Sequence, residues 1–312
     1  MTEPVIVLGV RRSGTTLLRV MLDCNSQIAV PDESFFVPQL AHRHGSRPNL
    51  DAFVEDLRRL PTLRDWGVDI DDVRMRLRPG MPTGDAIATV FETYAAARGK
   101  ERWGDKTPLY MQHLRLLERL FPHALFVHLI RDGRDAALSF LAMPQQLVTQ
   151  SWAHPRTAAA FACQWRMEVD DARALGRRVG PSRYLEVRYE TLVAEPEREL
   201  RRICDFAALP FEPAMLEYSE HEAAEQPHQQ SLTNPPTPGL RDWRREMSAD
   251  GVAAFESVAG ELLAELGYET RSRPKLTGAL RLLAYRARLG AWNASAYALQ
   301  RSPLWRRRHQ PL

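Results

Sequence analysis

The stretch from Val5 to Leu22 limits the fold of this chain more than any other. Val5-Ile-Val-Leu-Gly-Val10 is short, β-branched and apolar at every position rather than at alternate ones, which predicts a strand buried on both faces. A polar turn between Gly9 and Gly14 follows, and Thr15 to Leu22 resumes as an apolar-rich helix. Ala124-Leu-Phe-Val-His-Leu-Ile130 repeats the pattern, with a Gly turn and a helical run from Asp135 to Leu141. Tyr184 to Tyr189 alternates and reads as a third strand, and Trp103 closes a short fourth. Strands separated by helices and long crossovers predict an α/β fold, a P-loop-like, mainly parallel sheet flanked by helices. In such sheets ligands gather at the carboxyl ends of the strands.

At 312 residues and 44% hydrophobic, the chain can build one large core with a helical cap. We expect a main domain over 1–270, with a helical insertion over about 36–100 capping the site. Its apolar periodicity lies in Leu50 to Leu60 and Thr83 to Ala97, broken at Arg78-Pro-Gly-Met-Pro-Thr-Gly84. His154 to Val179 reads as a long helix, and the proline-rich stretch over about 221–240 as a lid loop. Residues 271–312 read as a basic amphipathic tail. From Pro274 to Leu312 there are one Lys and seven Arg with no Asp or Glu, against a net charge of only +3 for the whole chain. Two outcomes stay open for this tail: a helix docked on its own domain, or a peripheral contact with anionic membrane.

Several function classes lose ground at once. The apolar run at Val5 has no basic, signal-like segment before it, and no stretch reaches the ~18 to 20 apolar residues of a membrane span. A cytoplasmic protein is expected, with the sequon at Asn293-Ala-Ser295 unused. Cys24, Cys163 and Cys204 are widely spaced with no C-x-x-C, so buried reduced thiols are expected rather than disulfides or zinc. Nucleic acid is not an expected partner, since the basic tail lacks a recognisable reading motif.

Gly9-Val-Arg-Arg-Ser-Gly14-Thr15-Thr16 has the spacing of the phosphate loop G-x-x-x-x-G-K-[ST], but Thr15 stands at the lysine position. Backbone N–H groups and the helix N-terminus still cradle an anion. What is missing is the side chain that reaches the outer phosphates of a nucleoside triphosphate, which argues against kinase or NTPase chemistry. The plain alternative is an ordinary strand-to-helix turn. At the second strand end, Arg131 offers a planar donor fork and Ser139 a hydroxyl, suited to a terminal phosphate dianion. Here the alternatives are a surface pair of Arg131 with Asp132, or Asp132 as a magnesium ligand.

Val10-Arg-Arg12-Ser13-Gly14-Thr15-Thr16-Leu-Leu-Arg19 resembles the 5′-phosphosulfate loop of sulfotransferases that use 3′-phosphoadenosine 5′-phosphosulfate (PAPS), above all the bacterial and tyrosylprotein branch. Leu129-Ile-Arg131-Asp132-Gly-Arg-Asp135 with Ser139 resembles that family's 3′-phosphate element. Trp103-Gly-Asp105-Lys106-Thr107-Pro108 and Val187-Arg-Tyr189-Glu190-Thr-Leu-Val193 also resemble family segments. The matches span residues 5 to about 206, with a weaker one near Gly239 to Arg244. The resemblance implies PAPS as co-substrate, no metal, and in-line transfer of a sulfuryl group to an acceptor hydroxyl. Ser13, Gly14, Thr15 and Thr16 then hold the 5′ side of the donor, Arg131 and Ser139 its 3′-phosphate, and Tyr189 lies near the adenine.

By the same resemblance Glu33 is the general base, Lys106 contacts the sulfuryl and bridging oxygens, and Arg12 stabilises developing charge. Plainer roles stand beside these. Asp32 and Glu33 would be first-turn acids of a helix holding Phe35 and Phe36, with Asp32 its cap, and Lys106 would form a solvated pair with Asp105. The chain departs from the phenol and steroid sulfotransferases, lacking their K-T-H and R-K-G elements. His42-x-His44 lacks further metal ligands, and His128 reads as a core histidine. The acceptor stays open among sugar, lipid, natural product and tyrosyl peptide. Competing functions are a P-loop kinase for a small metabolite and a non-catalytic nucleotide-binding or membrane-surface protein.

Overall fold

Five strands form a single parallel sheet in the order β2-β3-β1-β4-β5. They are β1 (Val5–Leu8), β2 (Ile28–Ala29), β3 (Arg102–Asp105), β4 (Leu125–Ile130) and β5 (Tyr184–Arg188). The protein is described from a computed structural model covering residues 3–143, 154–218, 242–271 and 276–301. β1 lies centrally, with Val5 opposite Leu125 and Leu8 opposite His128.

The continuous apolar runs have the expected cause. Ile6, Leu8 and Phe126 point into one core, while Val5, Val7, Leu125 and Val127 point into another on the opposite face. Alternate side chains of a strand face opposite ways, so a strand covered on both sides must be apolar throughout. α1 (Thr15–Asp23) helps cover the second face. The first is covered largely by the segment between β2 and β3, which folds into α2 (Val37–His44), α3 (Leu50–Arg59), α4 (Pro61–Asp65), α5 (Ile70–Arg76) and α6 (Thr83–Ala96). The periodicity of Leu50–Leu60 and Thr83–Ala97 therefore predicted two of these five helices closely. The rest are too short for a period to show.

Aromatic packing fastens this insertion to the sheet: Phe91 stacks on Trp103 of β3 with centroids 4.5 Å apart, and Phe36 and Trp66 pack on Phe91 at 5.7 Å. Beyond β3 come α7 (Leu114–Leu120), α8 (Gly133–Leu141) and the long α9 (Ala158–Val179), whose Thr157 accepts from Ala160 N as N-cap. α10 (Tyr189–Ala194), α11 (Pro196–Ala207), α12 (Trp243–Glu246), α13 (Ala249–Glu265) and α14 (Leu276–Arg301) complete the described α-helices, beside short 3-10 turns at Pro108–Gln112 and Pro213–Met215.

Some expectations change. β2 is two residues long and carried no sequence signal. Tyr189, expected to end a strand, opens α10 instead. Cys24 is only partly buried, whereas Cys163 and Cys204 are buried, and all three are free thiols. α14 extends past Leu289 and packs on α9 and α13, with Tyr285 buried and Gly278 against the Ser257 carbonyl. The stretch over about 221–240, Trp305 and Arg306 to Arg308 lie outside the described residues. Among the described residues no helix is long and apolar enough to cross a membrane.

Candidate functional site

Every strand of the sheet delivers a candidate residue just beyond its carboxyl end. β1 leads to Arg12 to Thr16, β2 to Glu33, β3 to Lys106, β4 to Arg131 and β5 to Tyr189. Residues dispersed over the chain thus reach one edge of the molecule, where an open α/β sheet binds its ligands.

The loop after β1 is shaped by its glycines. Gly14 has φ of +87°, and a Cβ there would lie 2.4 Å from the Tyr189 ring, so only glycine fits between loop and ring. A Cβ on Gly9 would come within 2.9 Å of the Leu129 carbonyl, so β1 and β4 close up at their ends. α1 then begins with no acidic residue in its first turn and no side-chain cap, leaving its N-terminal dipole available to an anion. Ser13 N donates to the Val10 carbonyl, while Ser13 Oγ is buried with no partner among the described residues.

Arg131, 7% exposed, ties the β4 end to this loop through Nη1 and the Arg12 carbonyl at 3.1 Å, and its guanidinium lies 4.5 Å above the Tyr189 ring. Its Nε is a second buried donor with no partner among the described residues. Arg12 Nε in turn donates to Ser139 Oγ at 2.9 Å, so Arg12 contacts both Arg131 and Ser139. Arg12 holds φ of +70°, a conformation costing a non-glycine residue roughly 1 to 2 kcal/mol. Two orphaned buried donors, a free helix N-terminus and a glycine cradle fit a phosphate-bearing donor such as PAPS. Tyr189 packs against the loop itself.

Glu33 and Lys106 meet on the other side of α1's first turn. Lys106 Nζ, on a side chain only 1% exposed, donates to Glu33 Oε1 at 2.7 Å and to Thr16 Oγ1 at 3.3 Å. Burial pulls Lys106 below an ordinary lysine, and the Glu33 carboxylate opposes that pull. The solvated Lys106–Asp105 pair is therefore not what forms. Asp105 points inward, accepting from Ser34 Oγ at 2.7 Å and Thr107 Oγ1 at 3.2 Å, and its burial pushes it up to about 7. Nor is Asp32 a helix cap. The helix starts later, at Val37, and Asp32 pairs with Arg19 at 3.1 Å. Each of the adjacent acids thus has a cation of its own.

Ser34 locks this corner. Its N–H donates to Thr107 Oγ1, its hydroxyl lies 2.8 Å from Tyr110 Oη, and that same Tyr110 oxygen accepts from Val37 N. Between the pinned Ser34 and the buried Phe36, Phe35 is turned outward at φ +53°. Arg12 and Phe35 are thus two of the three non-glycine residues with positive φ among the described residues, and both border the site.

Sequence reasoning missed the support beneath Arg131. Asp132 neither pairs with Arg131 nor stands open to a metal. It caps α8 through Arg134 N and forks onto the fully buried Arg134 at 2.7 and 3.0 Å. Arg134 also meets Glu256 at 2.6 Å and lies 3.6 Å from the Trp243 ring centre, and Trp243 N donates to Asp135. The repeated Arg-Asp string at 131–135 was the available signal, but nothing local says which arginine turns inward. His128 is a core histidine: Nδ1 meets Tyr184 Oη at 2.6 Å, and burial pulls it down to about 3. His44 pairs with Asp56, and no group of His, Cys, Asp or Glu among the described residues is placed to hold a metal ion.

A family model described as "Sulfotransferase family" matches residues 4–213, two thirds of the chain. Protein-tyrosine sulfotransferase A of Caenorhabditis elegans is 25% identical over 88% of this chain and 69% of its own length. The nodulation protein NoeE of Sinorhizobium fredii is 28% identical over 84% and 65%. Among solved structures, the sulfotransferase domain from the curacin biosynthetic pathway superposes with a TM-score of 0.61 at 22% identity, covering 87% of this chain and 99% of that one. The sulfotransferase domain from the Synechococcus PCC 7002 olefin synthase gives 0.57 at 24%, covering 87% and 98%.

Proposed function

Since the chain belongs to the sulfotransferase family, we propose that it moves a sulfuryl group from PAPS to an acceptor hydroxyl, with Glu33, Lys106 and Arg12 serving the transfer. The observation that carries this assignment is the contact of Lys106 Nζ with both Glu33 Oε1 and Thr16 Oγ1. It joins a carboxylate, a buried ammonium and the phosphate loop, which are the three components the reaction needs.

In this reading Ser13, Gly14, Thr15 and Thr16 hold the 5′ side of the donor, and Arg131 with Ser139 holds its 3′-phosphate. Arg12 spans the two, its backbone under Arg131 and its side chain on Ser139. Glu33 takes the acceptor's hydroxyl proton, and the acceptor oxygen forms a bond to sulfur as the bond from sulfur to the bridging oxygen breaks. Lys106 meets the negative charge that collects on that leaving oxygen. The cations needed are side chains of this chain, so we propose transfer without a metal.

Thr15 at the lysine position disfavours ATP as donor. The test is calorimetry with 3′-phosphoadenosine 5′-phosphate against ATP with magnesium, followed by transfer assays with sulfur-labelled PAPS and EDTA present. Tighter binding of ATP, or transfer that stops on chelation, would overturn the proposal.

A further inference from the structure

Phe35 is the one exposed phenylalanine among the described residues, at 45%, and it stands two positions after Glu33. Its outward pose is imposed from both sides. Ser34 is held by Asp105, Thr107 and Tyr110, while Phe36 N closes back onto the Ser34 carbonyl at 2.6 Å and its ring is buried against Trp66 and Phe91. Nothing in that packing calls for an aromatic ring at position 35, and its left-handed backbone suits glycine better.

Beside the ring opens a cleft of about 360 Å³, lined by Phe35, Gln39, Arg59, Leu60, Pro61 and Thr62. Its far wall is therefore the junction of α3 and α4, part of the insertion. The one cation of the lining, Arg59, is met by Glu55 at 2.9 Å, so the cleft does not ask for a phosphate or sulfate. A second exposed apolar residue, Leu109, sits on the same hydrogen-bonded corner, next to Tyr110 and three positions after Lys106. Ser34 and Phe36 complete the lining, so apolar Phe35, Phe36, Leu60 and Pro61 share it with polar side chains, and Ser34, the residue that follows Glu33 in the chain, brings the cleft next to the proposed base.

We propose that this cleft is the acceptor subsite and receives the apolar body, an aromatic ring or alkyl chain, of the molecule whose hydroxyl meets Glu33. The proposal rests on the sulfotransferase reading for which end of the cleft reacts. It selects hydroxyl compounds with an apolar neighbour over bare sugars.

The test uses 2-naphthol and N-acetylglucosamine as probes of the full chain saturated with 3′-phosphoadenosine 5′-phosphate, followed by saturation-transfer NMR. 2-Naphthol should bind the unmodified protein and lose at least tenfold in affinity in Phe35→Gly, whose melting temperature should hold or rise because glycine relieves the backbone. Failure of 2-naphthol to bind, equal binding by both proteins, or stronger binding of the sugar would overturn the proposal. Calorimetry of the nucleotide on the same two proteins reads the donor assignment separately. The probes are also run without nucleotide, so a failed donor site leaves the cleft decidable.

Discussion

Lys106 Nζ lies 2.7 Å from Glu33 Oε1, which makes the proposed base and the proposed electrophilic cation each other's counter-ion. The ammonium holds Glu33 through Oε1, so the acceptor's proton is taken on Oε2, while the same ammonium also donates to Thr16 Oγ1 on the phosphate loop. Glu33→Gln should therefore lower turnover by roughly two to four powers of ten while nucleotide affinity survives. Steady-state kinetics beside calorimetry measure the two effects, and turnover close to the starting rate would remove Glu33 from the chemistry.

The same pair is unequal in burial. Glu33 is 32% exposed while Lys106 is 1% exposed, so removing the acid strands a buried ammonium. Glu33→Ala should destabilise at or below the low end of the ~3 to 5 kcal/mol seen when a buried pair loses one partner, because water reaches the site. Adding Lys106→Met should recover most of that loss. Urea unfolding of the three variants measures it, and a double variant no more stable than Glu33→Ala would contradict the argument.

Arg131→Ala should weaken binding of 3′-phosphoadenosine 5′-phosphate by roughly 1.5 to 3 kcal/mol through loss of a charge-assisted fork. Adenosine 5′-phosphosulfate, without the 3′-phosphate, should be nearly blind to the substitution. Equal losses for both nucleotides would show that Arg131 supports the loop rather than that phosphate.

Asp105 supplies a pH signature. Its folded form holds a proton up to about 7, whereas the ordinary value is 3.8, so across that window the folded chain binds more protons than the unfolded one. Stability contributed by this group must then fall as pH rises from about 4 to 7. Asp105→Asn keeps an oxygen for Ser34 and Thr107 but removes the titration. Its melting temperature should gain on the unmodified protein by about 2 °C or more between pH 4.5 and 7.5, read by differential scanning calorimetry. Parallel curves would refute it.

Arg134→Met should cost roughly 3 to 5 kcal/mol, because Asp132 and Glu256 would be left buried without their shared cation. Adding Glu256→Gln should return part of that stability in chemical denaturation. A single variant as stable as the parent would mean that Trp243 packing alone holds this corner.

How much of this was legible in the sequence depends on whether a feature is local. β1, β4 and the phosphate loop were readable because a doubly buried strand and a glycine turn each leave their mark within ten residues. Arg131 and Ser139 were nameable as a phosphate pair after a strand and Arg12 from the family resemblance, and Arg12 contacts both of the others. The length of β2, the pairing of Asp32 with Arg19 and the inward turn of Arg134 were not readable, since each is decided by a partner distant in sequence or space. Phe35 was read with Phe36 as part of one helix, since a Phe-Phe pair gives no sign that one ring is core and the other surface.

An all-parallel sheet whose every strand end carries part of the site has a consequence for how the protein comes into being. Parallel neighbours are joined only by long crossovers, and the central strand β1, made first, waits for β3 and β4 to flank it. Sequence separation of this kind slows folding, because loop closure precedes the contacts that reward it. No nascent chain released before Tyr189 carries all the residues of the proposed donor cradle. Nucleotide binding is thereby a readout of completed folding, and a saturating nucleotide shifts the balance toward the finished chain alone.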